Sequence, residues 1–457
     1  MLEATREHKG CLVHCNWNNC VLDRFRRDIQ GLRGVSILSV LIFHLWSSGF
    51  PCGYLGVDVF FVISGYMMNK IMKSERKFGL KEVIDFYFRR LKRLIPLYLT
   101  VICLTLWSAL WLLPPIEFRD LGADSRPTLY FWSNHIRSQR ITYFALEARY
   151  KFFLHTWSLS VEMQFYIVAP FLFILKQKLS EIRQPMGHFF LILVALFSFY
   201  HHQFIDFDYM STVNRLYQFL FGFFAFDCRN SHLAFRNQPL SKLFDFLLAL
   251  GLAILLFVRI PVHRELSQVF VVILTFVIVA RCDENWLLKW PLLVELGSVS
   301  YSVYLVHWPV FTFHRYFDLD MYKNQGEASV NVGILLCSFS LFIGYFTTNA
   351  FDRFFNSNLR TWCRLLAVIF VGYAFNLLAI YTLNRKSVDL MTNQHPTAKW
   401  KSEMRKRVLD LNGEQERGFD WKFAWWFRIC GNQIRFPKCL SGFNDNRTSS
   451  KTIVPIS

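Results

Sequence analysis

The chain has 457 residues, 53% of them hydrophobic and 18% aromatic, with a formal net charge of +18 and a mean hydropathy of +0.25. Soluble domains of ordinary composition are less apolar, so these values exclude a soluble protein and indicate an integral membrane one. Nucleic acid is not implied by the charge, because the basic residues lie between apolar runs and form no single stripe or patch.

Residues 1–29 form a polar leader carrying His8, Cys11, His14, Cys15 and Cys20. Their spacing matches no structural zinc pattern, and the segment reads as a reduced cytoplasmic extension with no cleavable signal peptide. Apolar runs follow at 34–50, 55–72, 95–115, 157–175, 188–201, 213–228, 243–260, 266–280, 292–314, 329–350 and 362–383. They read as membrane-spanning helices, although several are shorter than the roughly 17–25 residues a bilayer asks for.

Arg24, Arg26, Arg27 and Arg33 precede or open the first run, and Lys70, Lys73, Arg76, Lys77, Lys81, Arg89, Arg90, Lys92 and Arg93 follow the second. The positive-inside rule places both sets in the cytoplasm. Eleven crossings then put the tail, 384–457, on the lumenal or extracellular side. The sequon Asn446-Arg-Thr and the pair Cys430 and Cys439 fall there, where glycosylation and a disulfide are permitted. Cys103, Cys228, Cys282, Cys337 and Cys363 lie in or beside apolar runs and read as packing residues. Against the charge trend, the connection 116–156 is basic, and "TLYFWSN" (128–134) within it is a candidate re-entrant segment. The expected fold is all-α, a polytopic transmembrane helical bundle at 30–383 between leader and tail. The membrane of residence is the endoplasmic reticulum or the plasma membrane.

Within the first run, Arg33 and His44 are eleven residues apart, which returns to the same helix face about 20° off and roughly 16 Å along the axis. His44 has two readings: a buried imidazole donating to a backbone carbonyl, or a functional group facing a cavity. Asp58, Gly65 and Asn69 share a face of the second run. Asp58 either orients a neighbouring imidazole or caps its own helix. "HTWSLSVEMQFY" sets Ser158 and Glu162 at i and i+4, and a carboxylate inside a membrane is costly unless paired or functional. "GSVSYSVYLVHWPVF" aligns Ser300, Tyr304 and His307, where interfacial anchoring explains the tyrosine but not the histidine. "FRRLKRLIP" reads as a membrane-entry anchor, or Arg90 and Arg93, three apart, bind a phosphorylated ligand.

In this order, "RDIQGLRGVSILSVLIFH", "GYLGVDVFFVISGYMM", "RRLKRLIP", "WSLSVEMQFY", "NRLYQFLFG" and "LGSVSYSVYLVHWPVF" resemble the acyltransferase-3 family of multipass membrane acyltransferases over roughly 27–383. The resemblance implies a ten-span core, here with an eleventh span, which moves an acyl group, acetyl in the first instance, from a coenzyme A thioester on the cytoplasmic side to a hydroxyl acceptor such as a carbohydrate or lipid. It implies His44, Asp58 and Glu162 as catalytic residues, with Arg33, Arg90 and Arg93 holding the acyl-CoA donor. Ser158, Tyr304 and His307 are the candidate substrate contacts, and no metal is expected. Two departures from the family pattern are Gln218 in place of an acid after Arg215, and Glu162-Met163-Gln164 with a single acid. The nose-resistant-to-fluoxetine-like branch is the one it most resembles, and relatives there suggest a rival function in transport or lipid handling. A further branch adds a serine-esterase-like domain entered by a Gly-Asp/Asn-Ser turn, which this sequence lacks, so no serine-esterase activity is expected.

Overall fold

The structure is a computed structural model that describes residues 26–73, 79–135, 151–205, 208–230, 241–259, 264–281, 285–317, 328–359 and 361–392. The leader cysteines and histidines, Cys282, the sequon and the Cys430–Cys439 pair lie outside the described residues. Among the described residues the elements are helices, with no strand. In chain order they are α1 (Arg27–Leu45), α2 (Gly56–Lys73), α3 (Leu80–Leu112), α4 (Phe118–Leu129), α5 (Thr156–Ile182), α6 (Gln184–Tyr200), α7 (Thr212–Asn230), α8 (Ser241–Phe257), α9 (Arg264–Ala280), α10 (Pro291–Phe317), α11 (Val330–Asn358) and α12 (Trp362–Thr392).

Each of the eleven apolar runs overlaps one of these helices, though the runs at 34–50, 95–115 and 243–260 overshoot the helix ends by three to five residues, and α4 is the addition, inside the basic connection. Among the described residues, seven helical segments are long and apolar enough by themselves to cross a membrane. The shorter α8 and α9, at 17 residues each, fall below that length. Burial sorts the segments into centre and periphery: 72% of the apolar stretch of α1 and 67% of that of α2 is covered, against 22% for the α6, α11 and α12 segments. The peripheral helices turn Phe370, Leu335 and Phe189 outward, as expected where the outer solvent is hydrocarbon and apolar surface need not be hidden.

Several helices extend beyond their apolar cores for local reasons. α3 starts well before residue 95: the Glu82 carboxylate accepts the Gly79 N–H at 2.9 Å, satisfying a donor that an opening helix leaves unpaired. The helix continues through Pro96, so Arg90 and Arg93 sit on its first half. α12 likewise runs past residue 383. The "TLYFWSN" stretch ends α4 and turns at Phe131, φ 53°. It then packs against α5: Ser133 Oγ lies 2.7 Å from Ser160 Oγ, and Gln164 Nε2 donates to the Phe131 carbonyl at 3.0 Å.

The site is set by the crossing of α1 with α10. A Cβ on Gly297 would collide with the Gln30 carbonyl oxygen, and one on Gly34 with that of Leu293, so the two helices meet backbone to backbone. Close approach of this kind is how small residues fasten helices in membranes. Gly297→Ala is expected to lower the thermal unfolding midpoint in detergent, since overpacking costs about 1–3 kcal/mol. Gly251→Ala, whose Cβ would meet only Leu274 Cδ1 at 3.7 Å, should leave that midpoint unchanged.

Candidate active site

A cavity of about 130 Å³ lies between α1, α2, α3, α5 and α10, and its walls include Arg33, Arg90, Arg93, Glu162, Ser158 and Tyr304. These six residues were singled out in the sequence on four separate segments, and the fold brings them to one space. Arg90 is buried while Arg93 is exposed, so the arginine row reaches from the interior to the surface. The Arg90 guanidinium lies 5.5 Å from the centre of the Tyr166 ring, and Arg33 Nη1 is 3.4 Å from Gln30 Oε1. Among the described residues no carboxylate forms an ion pair with any of the three arginines.

Glu162 is the acid nearest to this group in electrostatic terms. Its carboxylate accepts hydrogen bonds from the Ser64 and Tyr166 hydroxyls. Three guanidinium groups against one carboxylate leave net positive charge in a low-dielectric space, the arrangement that favours a multiply charged anion. Tyr166 and Ser64 carry no role in the sequence reading. Tyr166 could have been found there, because it stands at i+4 from Glu162 on the same helix face.

Asp58 is placed elsewhere. It forms a buried ion pair with Arg215 on α7, Oδ1 to Nη1 2.9 Å, with side-chain exposures of 1% and 0%. Arg215 also donates through Nε to the Tyr209 carbonyl at 2.9 Å, and its guanidinium lies 4.0 Å from the centre of the Tyr209 ring. The acid missing at Gln218 is thus replaced, for Arg215, by one from α2. Neither a cap on α2 nor a hydrogen bond to His44 describes the contact that Asp58 makes.

His44 lies at the far end of α1 from Arg33, packed in a cluster of imidazoles. Its ring centre is 5.5 Å from that of His307, stacked at 29°, and 4.7 Å from Trp308 in an edge contact. His155, directly before α5, completes the group, 5.9 Å from His307. His307 Nδ1 is 2.7 Å from the Tyr304 carbonyl, so its proton is assigned there and Nε2 carries the lone pair. Among the described residues no three such groups are arranged to hold a metal ion. His155 has no role in the sequence reading. Its signal was an ionisable residue at the mouth of an apolar run, a weaker one than the ionisable residue inside a run that marks His44.

A hydroxyl pair joins the two regions. Ser158 Oγ and Tyr304 OH are 2.6 Å apart, and Tyr304 OH donates to the His155 carbonyl at 2.9 Å, so the Ser158 hydroxyl donates to Tyr304. Both residues line the arginine cavity, while the Tyr304 ring lies 5.5 Å from His307 and 5.8 Å from His155. The site therefore has a cationic compartment and an imidazole compartment with this pair between them.

Residues 26–348 match the acyltransferase domain family, acyltransferase-3. The chain belongs to this family. A relative in Komagataeibacter xylinus, named as a membrane-bound transacylase, BcsY, is 32% identical over 294 residues, covering 64% of this chain and 74% of its own. The O-acetyltransferase OatA of Staphylococcus aureus is 31% identical over 343 residues, covering 68% of this chain and 54% of its own. The chain thus spans about half the length of the O-acetyltransferases it matches. No solved structure matches it. Membership makes this an acyltransferase-3 chain, of an enzyme family whose homologues carry acyltransferase names, and its apolar helices make it an integral, multipass membrane protein.

Proposed function

We propose that this acyltransferase-3 protein moves an acetyl group from acetyl-coenzyme A to a hydroxyl of a carbohydrate or lipid acceptor. The observation that carries the reading is the row Arg33, Arg90 and Arg93, without ion-paired carboxylates among the described residues and lining one cavity together with the Ser158–Tyr304 pair. Phosphates of the donor answer that charge. A space of about 130 Å³ suits a short acyl thioester end better than a long chain.

In the proposed step the acceptor O–H gives its proton to the imidazole of His44 as the oxygen bonds to the thioester carbonyl carbon. Collapse of the tetrahedral oxyanion breaks the C–S bond, and the leaving thiolate takes the proton, releasing coenzyme A and the ester. Glu162 holds Tyr166 and Ser64 at the donor compartment, and Asp58 acts through Arg215 by fixing α2 to α7. Ser158 and Tyr304 orient the thioester end, with His307 on the acceptor side.

The donor enters from the cytoplasm in this reading, because the arginine end of α1 is the end flanked by basic connections. The N-terminus is then cytoplasmic, the leader, the 30–383 unit and the tail form three parts, and the tail lies in the lumen of the endoplasmic reticulum or outside the cell. Branch assignment to the nose-resistant-to-fluoxetine-like group rests on the same sequence resemblance.

Purified protein in nanodiscs should bind and slowly turn over acetyl-coenzyme A. Each charge-assisted hydrogen bond to a phosphate contributes about 1.5–3 kcal/mol, roughly 10–100-fold, so Arg90→Ala/Arg93→Ala, which removes at least one from each arginine, should raise the donor KM about 100-fold or more. An unchanged KM in that variant, or wild-type protein that neither binds nor hydrolyses the thioester, would count against acyl transfer.

A further inference from the structure

His155 is 3% exposed, and among the described residues neither of its ring nitrogens meets a hydrogen-bond partner in good geometry. The Leu305 backbone approaches the ring as a weak hydrogen-bonding partner, outside the geometry of a formed hydrogen bond. Nε2 of fully buried His307 is also without a partner. A buried polar group left unmatched costs about 1–3 kcal/mol, and a phenylalanine would fill the position at no such cost. Such groups in a packed interior call for an explanation, and here two of them flank His44.

Counting protons narrows what could answer them. A neutral His155 offers one N–H and one lone pair, and His307, with its Nδ1 proton directed at the Tyr304 carbonyl, offers a lone pair at Nε2. One donor and two acceptors are best met by groups that both donate and accept. Hydroxyls do so. Phosphate and carboxylate only accept, and an ammonium only donates.

We propose that His155 binds the acceptor hydroxyl of the transfer reaction, holding it beside His44, and that the acceptor presents neighbouring hydroxyls, as the edge of a sugar or another polyol does. The proposal rests on the acyl-transfer reading above. His155 is suited to the task because its backbone is anchored to the donor compartment: its carbonyl accepts from Tyr304 OH at 2.9 Å, and Tyr304 in turn meets Ser158. The ring that receives the acceptor is thereby tied to the wall that receives the thioester.

The test compares wild type, His155→Phe and His155→Asn in nanodiscs with acetyl-coenzyme A, with water as the attacking hydroxyl. His155→Phe keeps the ring and removes both nitrogens, whereas His155→Asn restores one donor and one acceptor. Turnover by His155→Phe should fall about tenfold or more, with the acetyl-coenzyme A KM changed by less than about twofold and an unfolding midpoint equal to or above wild type. His155→Asn should recover part of the lost rate. Wild-type turnover in His155→Phe would overturn the proposal, and so would a lowered midpoint with rate and donor KM failing together, the signature of a packing role. If wild type turns over no thioester, acyl transfer itself falls. The midpoints then still judge His155: a drop in His155→Phe assigns it to packing, and an equal or higher value supports a residue kept for binding.

Discussion

His44→Ala should abolish acetyl transfer while leaving the donor bound. Removal of a positioned general base typically costs about 10²–10⁴ in rate, and the expected loss in kcat lies in that range. The acetyl-coenzyme A KM should hold, because His44 does not line the cavity that contains Arg33, Arg90 and Arg93. The backbone contact at this residue also survives substitution, since Arg315 Nη2 donates to the His44 carbonyl, at 3.0 Å, and not to its ring. Truncation opens space against Trp308 and His307, so His44→Phe provides the ring-sized control. Loss of rate in both variants, at wild-type unfolding midpoints, assigns the effect to the imidazole nitrogens. Retained turnover in either one would remove His44 from the chemistry.

The second large effect is on folding. Asp58 and Arg215 are 1% and 0% exposed and 2.9 Å apart, and removing one partner of a buried pair strands a charge in low dielectric at a cost of about 3–5 kcal/mol. Asp58→Ala should therefore sharply reduce the yield of folded protein and its unfolding midpoint. Replacing both groups by apolar residues of similar volume, Asp58→Leu with Arg215→Met, should restore most of the midpoint, because a pair exchanged for packed apolar atoms is often neutral. A double-mutant cycle measured by thermal unfolding in detergent reads the coupling directly. The contrary outcome is informative: Asp58→Asn that folds normally yet loses turnover would give Asp58 a part in the reaction that its contact with Arg215 does not express.

Both predictions depend on which neighbours the helices bring together, and the sequence was uneven as a guide to that. Glu162 with Arg33, Arg90 and Arg93 was readable as a set of costly charges in apolar surroundings, and the cavity collects all four. Asp58 was equally readable as costly, but its partner was not. An acid on α2 has several cations within reach along the chain, and only the packing of α2 on α7 selects Arg215 over the imidazole of His44. His155 escaped notice for a different reason. Standing one residue before α5, it reads as a loop residue until its ring is seen against Tyr304 and Trp308 of α10.

The sequence by itself determined the membrane class, the all-helical fold, the place of nearly every helix and the residue types able to bind an anion or a proton. Those properties are local: hydrophobic run length sets whether a segment prefers lipid, and the cost of a buried charge attaches to the residue wherever it sits. The tertiary structure alone decided the division into two compartments, the Ser158–Tyr304 link between them, the pairing of Asp58 with Arg215 and the place of His155. Each is a distance between helices far apart in the chain. Such distances depend on features like the backbone-to-backbone approach at Gly34 and Gly297, whose effect on a partner helix no periodicity along a single strand of sequence can express.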